Sequence, residues 1–173
     1  MEENIIRDEV EKAENSFGVK SNKFSGALMI EVLKSHLERN GFSLSNRNVF
    51  IKGVKSEIDL MVVLKNAKPQ HDIIYEPTDV IAAFEVKRSG SYGERDVHKI
   101  RNIFDNIIDK NPQIFCCYIT LKERKNYKYK ITSGNLSYQV YTLFFYEKDG
   151  EALKNNEGEW DNFLEKLKTV SPV

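Results

Sequence analysis

The chain has 173 residues, 40% of them hydrophobic and 11% aromatic, enough for one α/β-sized core and no more than one extra element. Its 26 basic and 26 acidic residues cancel, so the net field does not announce a nucleic-acid binder, although a local basic patch remains compatible with it. No stretch approaches the roughly 18 consecutive apolar residues of a membrane helix, and MEENIIRDEVEKAEN is too acidic and polar for a signal peptide; the expected location is cytoplasmic.

Residues 1–24 are charge-rich and read as an N-terminal arm or short helix, with residues 25–173 as the domain. SGALMIEVLKSHLERNGF predicts a helix capped by Ser25 and stopped at Asn40-Gly41. NRNVFIKG and SEIDLMVVLK follow as two strands, and KNAKPQHDIIYEPT, with Pro69 and Pro77, as a polar loop. DVIAAFEVKRSG is the third strand. ERDVHKIRNIFDNIIDKNP sets Ile100, Ile103, Phe104 and Ile107 at helical spacing, and Pro112 closes that helix. QIFCCYITL and YQVYTLFFYEKD are further strands, and EWDNFLEKLKTV is the last helix. The three middle strands are expected to form a meander, and strand–helix–strand implies a parallel pair. The fold class is α/β, with helices around a mixed sheet.

Cys116 and Cys117 are adjacent in a strand and point to opposite faces, which excludes a disulfide between them; both read as buried thiols. His36, His71 and His98 are scattered and read as surface residues, with no histidine metal site. No phosphate-binding Gly-rich loop and no Gly-x-Ser-x-Gly elbow is present.

The charges that need an explanation sit in the core strands. Val80 to Lys87 is apolar except for Glu85 and Lys87, which share a face because a strand repeats every two residues. Asp59 likewise interrupts an apolar run, with Glu57 two residues earlier on its face. If the two strands are neighbours, Asp59 and Glu85 converge. Two carboxylates about 4 Å apart repel by roughly 1 kcal/mol in water and about 4 at a protein-like dielectric. A hard divalent cation such as Mg²⁺ reverses that sign, and a lysine beside it can hold an activated water or neutralise a phosphate. The open alternatives are a solvated same-face pair at Glu85 and Lys87, and a turn-capping role for Asp59.

The set Asp59…Glu85-Val86-Lys87, on strands following a helix, resembles the PD-(D/E)XK nuclease superfamily over residues 25–121, with Ile58 where the family's name has a proline. SEIDLMVV followed by EPTDVIAAFEVK is similar to small stand-alone members of it. The resemblance implies a restriction-endonuclease-like core, in the order helix, three strands, helix, strand, to which this chain adds a strand and a helix. It implies a Mg²⁺- or Mn²⁺-dependent nuclease acting on nucleic acid, DNA first, of restriction, repair or phage-defence type; a homodimer is compatible with it. Asp59, Glu85 and the main-chain carbonyl of Val86 would be metal ligands and Lys87 the catalytic lysine. Glu31 matches the helix glutamate that faces the metal; it also reads as a surface acid paired with Lys34 or Lys55. Arg88, Ser89 and Tyr92 are candidates for phosphate contacts or an ordinary loop. KERKNYKYK, with Lys125 and Lys128, reads either as a nucleic-acid grip or as solvated lysines on a hairpin tip. A catalytically silent binding module of the same fold is the alternative function.

Overall fold

The computed structural model describes residues 2–15, 22–89, 94–124, 138–147 and 151–171. Its centre is a five-stranded mixed sheet in the order β2-β4-β5-β6-β7, made of Leu60–Val63, Val80–Ser89, Phe115–Arg124, Gln139–Tyr146 and Lys154–Asn155. β2 runs antiparallel to β4, while β4, β5 and β6 are parallel to one another, and β7 closes the far edge antiparallel.

Side-chain alternation divides the core into two layers. Phe84 and Val86 on β4, with Cys117, Ile119 and Leu121 on β5, face a layer of three helices: α1 (Glu2–Asn15), α2 (Asn22–Arg39) and α4 (Glu159–Val170). Ala83, Cys116 and Tyr118 face the other way, against Ile100, Ile103, Phe104 and Ile107 of α3 (Glu94–Lys110). A strand apolar on both faces is what a sheet covered on both sides requires. The adjacent cysteines accordingly lie in opposite layers, both buried and free, and burial pushes the Cys116 thiol up to about 12.

α2 ends where Asn40-Gly41 predicts. Gly41 has φ +91°, its N–H donates to the Glu38 carbonyl at 3.0 Å, and the Phe42 N–H donates to that of Leu37 at 3.2 Å. This is the Schellman arrangement, which needs a left-handed residue after the helix and here delivers Phe42 to the core. The start differs from expectation: α2 begins at Asn22, so Ser25 lies inside the helix and does not cap it.

α1 packs on α2 through Ile6 and Val10, both fully buried. His36 is 1% exposed, contrary to the surface position expected of it. Its ring nitrogens stand 3.3 Å from Glu2 Oε1 and 3.0 Å from Glu9 Oε2, both on α1. Trp160 Nε1 also donates to Glu2, at 3.4 Å, and the Leu153 N–H donates to Glu11. His36 and the Trp160 Nε1–H are tolerated between the helices because each finds a carboxylate partner there.

The expected three-stranded meander is corrected. β1 (Phe50–Ile51) leaves the main sheet and pairs in parallel with β3 (Ile74–Tyr75), a strand inside the segment read as a polar loop. The outer edge of β2 is already taken: Ser45 N–H donates to Met61 O and Val63 N–H to Ser43 O, each at 2.9 Å. β1 keeps one antiparallel bridge, Val49 to Ile58, at the entry to β2. β5 and β6 are parallel neighbours, and residues 125–130 of KERKNYKYK, read either as a nucleic-acid grip or as a hairpin tip and including Lys125 and Lys128, lie outside the described residues.

Phe163 of α4 joins the helical layer to the sheet: it is fully buried, with ring centroids 5.7 Å from Phe84, 5.2 Å from Tyr141 and 5.7 Å from Trp160. Phe163→Ala is expected to lower the unfolding free energy by about 3–5 kcal/mol in urea titration, and Phe163→Leu by clearly less.

Candidate active site

The site forms where β2 and β4 part. In the antiparallel register Leu60 stands opposite Phe84, and continuing it by one residue sets Asp59 opposite Glu85, on the face that carries Ala83. The ladder stops there. The Asp59 carbonyl accepts from the Asn48 N–H at 3.3 Å, and its carboxylate Oδ2 accepts from the Val86 N–H at 2.8 Å. Asn48 adopts φ +58°, a left-handed conformation that asparagine tolerates and that aims its N–H at Asp59. A side chain has thus replaced a strand as partner to β4, and the gap left between the two chains is the site. An extended residue directs its N–H and C=O to the same side, so the Val86 carbonyl faces the Asp59 edge as well.

Lys87, two residues beyond Glu85 on the same face, brings its Nζ to 3.3 Å from Glu85 Oε2 and 3.8 Å from Asp59 Oδ2. The acid pair and the lysine therefore meet, as the strand-face reading expects. Their exposures differ: the Glu85 side chain is 7% accessible, Asp59 20% and Lys87 43%. Burial, reinforced by the Asp59 charge, lifts the Glu85 carboxyl from its ordinary 4.5 to about 7, while Lys87 and Lys99 pull it down. A buried acid in that condition sits in an open cleft of about 440 Å³. Ser56, Glu57, Asp59, Glu85 and Lys87 line one side of the cleft, and Lys99, Ile100 and Ile103 of α3 the other.

Glu31, on α2, is half exposed and does not line the cleft; its Oε1 is held by Arg47 Nε at 2.7 Å, not by Lys34 or Lys55. Lys34 pairs with Glu38. Arg88 and Ser89 end β4, where Ser89 stands in register with Lys122. Tyr92 lies outside the described residues. Lys99 was not singled out from the sequence. Its signal was present: a lysine one position before Ile100, on the helix that directly follows the Lys87 strand.

The donor set suits a hard cation. Glu85 and Asp59 are anionic oxygens at one place, the Val86 carbonyl adds a neutral one, and a buried acid with a raised pKa gains most from positive charge. Among the described residues no three His, Cys, Asp or Glu side chains converge, so two carboxylates and a carbonyl are the set available.

No protein-family model matches the sequence, and no curated protein does. Solved structures do match. The NucC of P. aeruginosa ATCC27853, in its cAAA-bound form, superposes with a TM-score of 0.68 at 12% identity, over 99% of this chain and 89% of its own. The cAAA-bound NucC of E. coli MS115-1 gives 0.67 at 12% identity, over 99% and 88%, and its apo form 0.56 at 12%, over 97% and 92%. The likeness extends beyond residues 25–121 to nearly the whole chain. The chain has the mixed α/β fold of these NucC structures, a five-stranded mixed sheet flanked by helices.

Proposed function

We propose that the protein is a metal-dependent nuclease that hydrolyses phosphodiester bonds, with DNA as its first substrate, and that it is of the phage-defence type. The observation that supports this best is the meeting of Asp59, Glu85 and Lys87 at a strand gap, with the Val86 N–H fixing the Asp59 carboxylate at 2.8 Å. A fold would gain nothing in stability from two facing carboxylates, one of them buried.

Asp59, Glu85 and the Val86 carbonyl would hold Mg²⁺ or Mn²⁺, which when bound supplies Lewis-acid stabilisation of charge on the phosphate. The chain's own groups do the rest. The Val86 N–H fixes the Asp59 carboxylate through its Oδ2. Lys87, fixed by two carboxylates yet 43% exposed, orients the attacking water and offers its ammonium to the phosphoryl oxygens. Ile100 and Ile103 wall the cleft with hydrocarbon, which lowers the local dielectric around the charges. The same reading carries assembly as a homo-oligomer, the homodimer being its smallest form, and a response to cAAA, in which two of the fold neighbours are bound.

Cleavage of plasmid, linear duplex and single-stranded DNA and of RNA, in Mg²⁺ or Mn²⁺ and with or without cAAA, tests the reading. Wild type is expected to cut DNA and to stop in EDTA, with Asp59→Asn and Lys87→Ala each at least about 100-fold slower. A folded wild type that cuts none of these under any condition leaves the silent binding module as the function.

The buried acid yields a second expectation. Folded metal-free protein keeps a proton on Glu85 between about 4.5 and 7 that the unfolded chain releases, so this group lowers stability as pH rises through that window. Glu85→Gln removes the effect. In EDTA it should melt several degrees above wild type at pH 8 and level with it at pH 4.5. Added Mg²⁺ should raise the melting temperature of wild type at pH 8 and leave that of Glu85→Gln unchanged.

A further inference from the structure

The cleft holds two lysines in different circumstances. Lys87 is engaged with both carboxylates, at 3.3 and 3.8 Å. Lys99 stands on the facing wall, is exposed, and makes no ion pair or hydrogen bond among the described residues. Its position is set by its own helix: Ile100 and Ile103, each 6% exposed, anchor that turn of α3 in the core and line the same cleft. An unpaired ammonium on a rigid wall beside two carboxylates lowers their repulsion toward an entering anion. It also offers the anion a partner that gives up no other contact.

We infer that Lys99 is a substrate-contacting residue that binds a backbone phosphate of the nucleic acid across the cleft from Asp59, Glu85 and Lys87. This rests on the nuclease reading above for the identity of the substrate. A phosphate held between Lys87 and Lys99 is clamped from both walls, whereas a neutral substrate gains from neither. The selectivity is thus for a polyanionic chain, not for a base sequence.

The test separates binding from cutting. A fluorescein-labelled DNA duplex is titrated with full-length protein by anisotropy in Ca²⁺, at several salt concentrations, for wild type, Lys99→Gln, Lys99→Arg and, as a control on the opposite face, Lys168→Gln. Cleavage in Mg²⁺ is followed in parallel. Lys99→Gln should weaken binding several-fold and flatten the plot of log Kd against log salt by about 0.9, the slope of one lost phosphate contact. Lys99→Arg should restore both, and Lys168→Gln should change neither. Unchanged slope and affinity in Lys99→Gln, beside a wild type that cuts, overturn the assignment and leave the nuclease reading standing. A flattened slope beside a wild type that never cuts supports the phosphate contact and overturns the nuclease. A wild type that binds neither duplex, single-stranded DNA nor RNA overturns both.

Discussion

One hydrogen bond, from the Val86 N–H to the Asp59 carboxylate, decides the shape of the functional end of the sheet. A strand partner would have supplied the same donor with an acceptor and continued the ladder past Leu60. A side-chain acceptor satisfies the backbone equally well while letting the neighbouring chain turn away. That chain is caught by Asn48 and Val49, so the divergence is held from both sides. The gap is therefore bordered by backbone N–H groups that have found partners on both sides.

The electrostatic cost concentrates on Glu85. It takes a position that alternation assigns to the α3 layer, with Ala83 before it on β4 and Tyr118 in register on β5. Hydrocarbon at that position would be more stable in the metal-free protein, and the layers around it carry the deficit: the α1–α2–α4 layer is dense with aromatic contacts and fully buried aliphatics. The division suits a sheet covered on both sides. One layer holds the dense aromatic packing and the other, opened at its end, holds the cleft of Asp59, Glu85 and Lys87.

Much of this was legible in the residues, for local reasons. Asp59 and Glu85 stood out because each breaks an apolar strand, and period-two alternation sets Glu85 and Lys87 on one face without any knowledge of the partner strand. α3 and α4 follow from strong helical spacing and have the expected bounds. What escaped depends on distant partners. β3 and β7 are two-residue strands with no periodicity to detect, and β1, legible as a strand in NRNVFIKG, gives no sign of its pairing with β3. His36 is buried because carboxylates 34 and 27 residues away in sequence reach it. Lys99 carries only a faint signal, its place beside Ile100 on the helix that follows the Lys87 strand, because the acids it shares the cleft with lie on other elements. Glu31 matched the sequence position of the superfamily's helix glutamate, but its match to Arg47 required knowing how the chain returns past α2.

The neighbouring thiols have a use that follows from their opposite faces. Cys116 is sealed by α3 and Cys117 by the three-helix layer, and both are unpaired. A thiol-specific label reaches the second only when the three-helix layer lifts, and the first through movement on the α3 side, where Cys116 lines a pocket beside Ile108 and Tyr138. Two consecutive residues thus record the opening of the two sides of the sheet separately, with no foreign probe introduced. Simultaneous labelling would describe a protein that opens as one cooperative body. Earlier labelling of Cys116 would describe a cleft wall that breathes on a scaffold that stays closed.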